Sequence, residues 1–241
     1  MTYRDQWEQN ALNWAAFTRG PEPDAYPDFA ERFFEFIAPP GRRTLEVGGG
    51  EGRVCRDLRD RGYAPIGIDG SRTLVRLARE ADPTGEYLEA DAAALPFEDG
   101  AFDLVVAYNV LMDVDDLDAV VAEIARVLDP AGRLAACVTH PVADAGRFAE
   151  RRADAPFVIS GSYLGSRPFR ATFRRNGVDM PFAGWAHPIE AYFAAFERAG
   201  LAVEALREVG ALPDAVERDP AEARWLRIPN FMFLRARRIE G

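Results

Sequence analysis

Leu45-Glu46-Val47-Gly48-Gly49-Gly50-Glu51-Gly52-Arg53 follows a short β-rich run and opens a helical one. Glycines at 48, 50 and 52 let the backbone turn sharply and approach a ligand where a Cβ would clash. Around this loop, β-rich runs at 44–48, 65–69, 87–90, 102–108 and 133–139 alternate with helical runs at 53–61, 72–81 and 117–128. The last helix carries Leu117, Val120, Val121, Ile124, Val127 and Leu128, spaced to lay one face on a sheet. Asp129-Pro130-Ala131-Gly132 then ends it and turns the chain into the fifth strand. Such alternation marks βαβ units, so the spacing predicts an α/β fold on a mostly parallel sheet.

The flanks read differently. Residues 1–40 carry two helical patterns, one with Trp7, Leu12, Trp14 and Phe17, the other with Phe29, Phe33, Phe34 and Ile37. They form an N-terminal helical cap that packs on the sheet or closes over a pocket. The main domain occupies 41–241, and within it 141–186 breaks the rhythm with Arg, Gly, Pro and aromatic residues. This insertion after strand five is expected to be a substrate lid, with an irregular hairpin at 160–182 around Arg175-Asn176-Gly177. A helix at 188–199 follows, with Pro188 suited to its first position and Gly200 to its C-terminal cap. Runs at 202–208 and 230–237 complete seven strands, pairing antiparallel at the sheet edge, so that the last strand is antiparallel.

The 241 residues suit one main core, and 48% hydrophobic with 28% charged residues excludes a disordered or fibrous chain. The formal net charge is -10, and all basic side chains are arginine. An acidic surface repels a phosphate backbone, which argues against nucleic acid and for a small-molecule partner. The start, MTYRDQWEQNALNW, is polar and acidic, and no run approaches the roughly 20 apolar residues of a membrane span. A cytoplasmic protein without a membrane partner is the expectation. Cys55 and Cys137 lack metal-ligand spacing and read as buried reduced thiols.

Asp69 ends the second strand, 21 residues beyond Gly48, where a carboxylate accepts hydrogen bonds from both ribose hydroxyls of an adenosine. The dinucleotide fingerprint G-x-G-x-x-G starting at Gly48 would need glycine where the chain has Arg53. Glu89-Ala90-Asp91-Ala92 follows the third strand, and Phe102-Asp103-Leu104-Val105-Val106 opens the fourth. In this ordered set, residues 43–140 resemble the class I S-adenosylmethionine-dependent methyltransferases, in particular the small-molecule group that includes ubiquinone and menaquinone methyltransferases. The resemblance implies a Rossmann-like seven-stranded sheet with helices on both faces, and S-adenosylmethionine as cofactor. It places the glycine motif on Glu46, Gly48, Gly50 and Gly52, and the ribose acid on Asp69 with Gly70 beside it. Asp91 and Ala92 take the adenine position, and Tyr108, Asn109 and Val110 lie beside the methionine portion. Relatives with histidines after the fourth strand differ from this chain, which reads Leu111-Met112-Asp113-Val114-Asp115-Asp116.

Methyl transfer needs an acceptor aligned with the departing methyl group, and a hydroxyl or protonated amine also benefits from a base. His140, at the end of strand five, and His187, before Pro188, are the chain's two histidines and the candidate catalytic residues. Residues 141–186 carry seven arginines against four carboxylates, which reads as a solvated hairpin face or as an anion-recognising fork. Their aromatic residues suit an acceptor pocket or simple packing of the lid. The 113–118 acidic run reads as a helix entry, and no metal is assigned. A small-molecule acceptor with an oxygen or nitrogen nucleophile is the expected substrate. The competing reading is a protein that binds S-adenosylmethionine without methylating, followed by a nicotinamide oxidoreductase.

Overall fold

The structure is a computed structural model that describes residues 2–22, 24–41 and 43–239. Helix α1 (Tyr3–Arg19) begins in a capping box, in which Thr2 and Asp5 exchange hydrogen bonds. Helix α2 (Tyr26–Phe36) starts with Pro27 in its first turn and buries Phe29, Phe33, Phe34 and Phe36. Next come β1 (Thr44–Val47), α3 (Arg53–Asp60), β2 (Pro65–Asp69), α4 (Arg72–Ala81) and β3 (Glu86–Glu89). The unit closes with β4 (Phe102–Tyr108), α5 (Leu117–Val127) and β5 (Leu128–Thr139). Strands β1 and β4 are buried along almost their whole length, as parallel strands covered on both faces must be.

The insertion contains α6 (Pro141–Ala145), the short pair β6 (Gly146–Phe148) and β7 (Phe157–Ile159), and the hairpin β8 (Arg167–Arg175) with β9 (Val178–Ala186). The hairpin is regular, pairing Arg167 with Ala186 through Arg175 with Val178. It therefore reaches four residues beyond the 160–182 expectation. Its turn, Asn176-Gly177, has φ of 52° and 73°, the left-handed pair that matches the twist of two-residue hairpins.

Helix α7 (Ile189–Arg198), β10 (Leu201–Val209), α8 (Pro213–Arg218), a 3-10 helix (Pro220–Leu226) and β11 (Phe231–Arg238) finish the chain. The seven-stranded sheet runs β10-β11-β5-β4-β1-β2-β3, with β11 antiparallel to both neighbours. The last strand thus enters between β5 and β10, and β10 forms the edge. One face packs on α5 and α7 through Val120, Val121, Ile124, Tyr192 and Phe196. The other packs on α2 and α3 through Phe29, Phe33, Val54 and Leu58, with Val75 and Ala78 of α4 beside Cys55. No helix of the described residues is long and apolar enough to cross a membrane.

Strand order reverses between β1 and β4, which opens a crevice outside their carboxyl ends, where such sheets bind ligands. Helix α1 and the hairpin cover this crevice. Phe182 makes edge contacts with Trp7, Trp14 and Phe17, while Asn176 donates to the Phe17 carbonyl and accepts from the Glu22 amide. The other side of α1 is tied to the sheet loops: Glu8 accepts from Ser71 and Thr73, and Arg19 pairs with Glu51.

Candidate functional site

Under this roof lies a cavity of about 880 Å³, in the size range of ligand pockets. Ten of the eleven residues expected around a cofactor line it: Glu46, Gly48, Gly50, Asp69, Gly70, Asp91, Ala92, Tyr108, Asn109 and Val110. Gly48, at φ 71°, lets the loop lie against the segment after β4, because a Cβ there would be 2.3 Å from Val110 Cγ2. Gly52 stands behind the loop instead. It opens α3 at φ 85°, and a Cβ there would meet Tyr87 at 2.9 Å and Ala78 at 3.0 Å. Its glycine serves backbone shape and packing rather than the cavity wall.

In β1, Leu45 and Val47 point into the α5 side of the core, so strand alternation turns Glu46 the other way. It is 1% exposed, and burial pushes its carboxyl up to about 7 despite a hydrogen bond from Cys55. Its Oε2 has no hydrogen-bond partner among the described residues. A buried acceptor of this kind suits a donor brought by a ligand. Asp69 is held from both sides, with Oδ2 accepting from Gly50 N at 2.9 Å and Oδ1 from Ser71 N at 2.8 Å. Burial raises its carboxyl while these amides lower it. Both oxygens keep a lone pair for ribose hydroxyls. Asp91 Oδ1 accepts from Ala93 N at 2.9 Å, which orients that carboxylate at the far end of the crevice. Asn109, at φ 53°, accepts from the Cys137 thiol and donates its amide hydrogen to the Cys137 carbonyl. The donor and acceptor set therefore fits an adenosine joined to an ammonium-bearing chain.

The two histidines are placed elsewhere. His140 is 1% exposed and caps α6, its Nδ1 accepting from Val142 N at 3.1 Å while Nε2 donates to Glu208 Oε1 at 3.0 Å. Burial lowers its pKa against the pull of Glu208, and both ring nitrogens are occupied. His187 is buried between Trp185 and Tyr192, with Nδ1 2.7 Å from Ser166 Oγ. Neither lines the cavity. The expectation that a histidine faces the reacting centre is thus corrected, since Thr139, one residue before His140, takes the cavity-facing position.

Two further contributions line the cavity beyond the residues assigned one by one from the sequence. The first is α1, whose Arg4, Trp7 and Trp14 line the cavity, with Arg4 Nε donating to the Gly70 carbonyl at 2.9 Å. Its aromatic stripe faces the cavity and the hairpin, while that of α2 packs on the sheet. The second is Asp113 and Asp144, just past the ends of β4 and β5. Burial pushes Asp113 well above the usual carboxylate range, with Asp144 adding to the effect, and Asp144 is pushed up to about 6. Thr139 Oγ1 donates to Asp144 Oδ2 at 2.7 Å. In the rest of the acidic run, Asp115 accepts from Tyr3 N, Asp116 caps α5 and Asp118 pairs with Arg198. None of the seven insertion arginines lines the cavity. Arg151, Arg152 and Arg174 pair with surface carboxylates, and Arg175 lies over Phe17.

Residues 45–136 match the family described as Methyltransferase domain. A demethylmenaquinone methyltransferase of Renibacterium salmoninarum is 32% identical over 105 residues, which cover 43% of this chain and 44% of that protein. The chain spans less than half the length of the first curated relatives it matches. Among solved structures, an S-adenosylmethionine dependent methyltransferase from Mesorhizobium loti superposes with a TM-score of 0.73 at 25% identity, covering 87% of this chain and 97% of its own. The cyclase SpnF shares the fold at a TM-score of 0.66 and 18% identity, covering 100% and 98%.

Proposed function

We propose that this chain, whose residues 45–136 form a class I S-adenosylmethionine-dependent methyltransferase domain, transfers the cofactor's methyl group to a small-molecule acceptor in the cytoplasm. The observation that carries this reading is one continuous cavity, running from Asp69 and Asp91 at one end to Asp113, Asp144 and Trp185 at the other. Its first half matches the donor, and its second half is left for an acceptor.

S-adenosylmethionine supplies an electrophilic methyl group on a sulfonium. The chain's own residues do the rest. Asp69 and Asp91 hold the adenosine ends, Glu46 Oε2 receives the ammonium, and the glycine loop admits the ligand backbone-close. Trp7, Trp14 and Phe182 exclude water from above, which strengthens every charge interaction beneath them. The geometry favours positioning over histidine base catalysis, because no imidazole reaches the cavity.

Titration calorimetry with S-adenosylhomocysteine tests the donor half. The Glu46 carboxylate accepts from an ammonium and the protonated acid does so poorly, so a bound ammonium favours the ionised form. Affinity is therefore expected to rise about tenfold between pH 6 and pH 8 and to level off above. Glu46→Gln should flatten this rise, and NAD should give no saturable heat. A pH-independent affinity in the native chain would remove Glu46 from the ammonium site.

The second reading, cofactor binding without methylation, is favoured by the shared fold of the cyclase SpnF. It predicts the same calorimetric result and no turnover of the cofactor.

A further inference from the structure

Two carboxyls, Asp113 and Asp144, stand on the acceptor half of the cavity with no cationic side chain paired to them in its lining among the described residues. The cavity's cationic lining residues among those described are Arg4 and Arg53, both committed elsewhere: Arg4 to Gly70 and Glu89, Arg53 to Asp24. Most of the lining carboxylates are committed too. Glu51 pairs with Arg19 and Arg56, Asp115 accepts from Tyr3 N, and Asp116 caps α5. With Asp5 tied to Thr2, and Glu46, Asp69 and Asp91 assigned to the donor half, Asp113 and Asp144 remain. Asp144 accepts from Thr139, and Arg167, which does not line the cavity, donates to its main-chain oxygen and, against burial, draws its carboxyl partly back toward the ionised form. The Asp113 carboxyl has no hydrogen-bond partner among the described residues.

The hairpin is shaped around Asp113. At Gly184 an added Cβ would lie 2.6 Å from Asp113 Oδ1 and 2.6 Å from the Met112 carbonyl, so the missing side chain leaves room for the carboxyl. Gly184 pairs across the hairpin with Phe169, and the next residue, Trp185, donates its amide to Met112. Phe169 and Trp185 both line the cavity. Two carboxyls and two ring systems thus converge on one volume.

We propose that this volume receives a protonated amine of the acceptor, seated between the Asp113 and Asp144 carboxyls and the rings of Phe169 and Trp185. This rests on the reading of the cavity's second half as the acceptor site. Like carboxyls in an apolar wall repel each other and lose hydration, and a cation between them offsets both costs. Aromatic faces attract an ammonium and do nothing comparable for a carboxylate. A neutral alcohol supplies a hydrogen bond without the countercharge, and an anion is repelled.

Three probes with a shared phenyl group separate the cases: 2-phenylethylamine, 2-phenylethanol and 3-phenylpropanoate. Each is titrated calorimetrically into the protein alone and into the protein saturated with S-adenosylhomocysteine. The amine is expected to bind about tenfold more tightly than the alcohol, and the carboxylate to give no saturable heat. Asp113→Asn should bring the amine down to the alcohol's level while alcohol affinity stays within about twofold. Asp144→Asn provides the same readout should the first variant fail to fold. An alcohol or carboxylate that binds as tightly as the amine, an amine that does not bind, or a preference surviving both substitutions overturns the proposal. Loss of the S-adenosylhomocysteine signal alone contradicts the cofactor reading and leaves the probe selectivity in the free protein to be judged separately.

Discussion

Asp69→Ala is expected to weaken S-adenosylhomocysteine binding by roughly two orders of magnitude, with the fold retained. A charge-assisted hydrogen bond is worth about 1.5 to 3 kcal/mol, and about 2.7 kcal/mol corresponds to a hundredfold in affinity. The carboxylate also braces the glycine loop, since its two oxygens accept from Gly50 and Ser71 on opposite sides. Removing it deletes the proposed ribose acceptor and frees the Gly50 and Ser71 amides beside the crevice. Calorimetry gives the affinity, and a melting curve separates loss of the site from loss of the fold. An affinity within a few fold of the native chain would place the ribose elsewhere.

This residue was legible because its position follows from strand periodicity alone: the acid ends β2, beside the loop that ends β1. Asp91 likewise follows the end of β3, whereas Glu46, inside β1, and the segment after β4 were assigned through the family resemblance. His140 was misread for a reason on the same scale. Along a strand successive side chains face opposite ways, and one residue separates the cavity-facing Thr139 from His140. The chain then enters α6, whose first free amide takes the His140 ring as its cap. Sequence periodicity located the strand end but not the direction of the last side chain.

The insertion was legible as a break in rhythm and opaque in content. Its arginines drew attention as a block, yet some find their partners close in sequence or across a ladder, and others far along the chain, as Arg151 does in Asp219. Arg152 meets Glu150 and Asp154, and Arg174 pairs in register with Asp179. Asp113, Asp144 and Trp185, which face the cavity, are instead isolated residues brought together by tertiary contacts across 73 residues of chain. No local pattern announces such a meeting. The role of α1 depends similarly on what packs above it, and Phe182 is contributed from far along the chain.

Replacing residues 167–186 with a short Gly-Ser turn is expected to reduce acceptor methylation by about a hundredfold or more while S-adenosylhomocysteine affinity falls by less than about tenfold. Arg167 and Ala186 are paired neighbours, so a tight turn can join their flanks. The excision removes Phe169, Phe173, Phe182 and Trp185 from the cavity wall and lets water reach its second half. Helix α1 keeps its own ties to Gly70, Ser71, Thr73 and Glu51, so the donor half retains its cover. Melting and steady-state turnover are measured on the same sample. Unchanged turnover would move acceptor recognition to α1, and cofactor binding lost together with turnover in a folded variant would make the hairpin part of the donor site.

Methyl transfer itself is most directly tested by incubating the purified chain with S-adenosylmethionine and a panel of small aromatic amines, alcohols and carboxylates, with mass spectrometric detection of both products. The account predicts S-adenosylhomocysteine and a singly methylated acceptor appearing in equal amounts, with formation strongly reduced by Asp69→Ala. Cofactor that binds tightly and is recovered intact against every member of the panel would contradict it, and would leave this cavity as a binding site in a methyltransferase fold turned to another use.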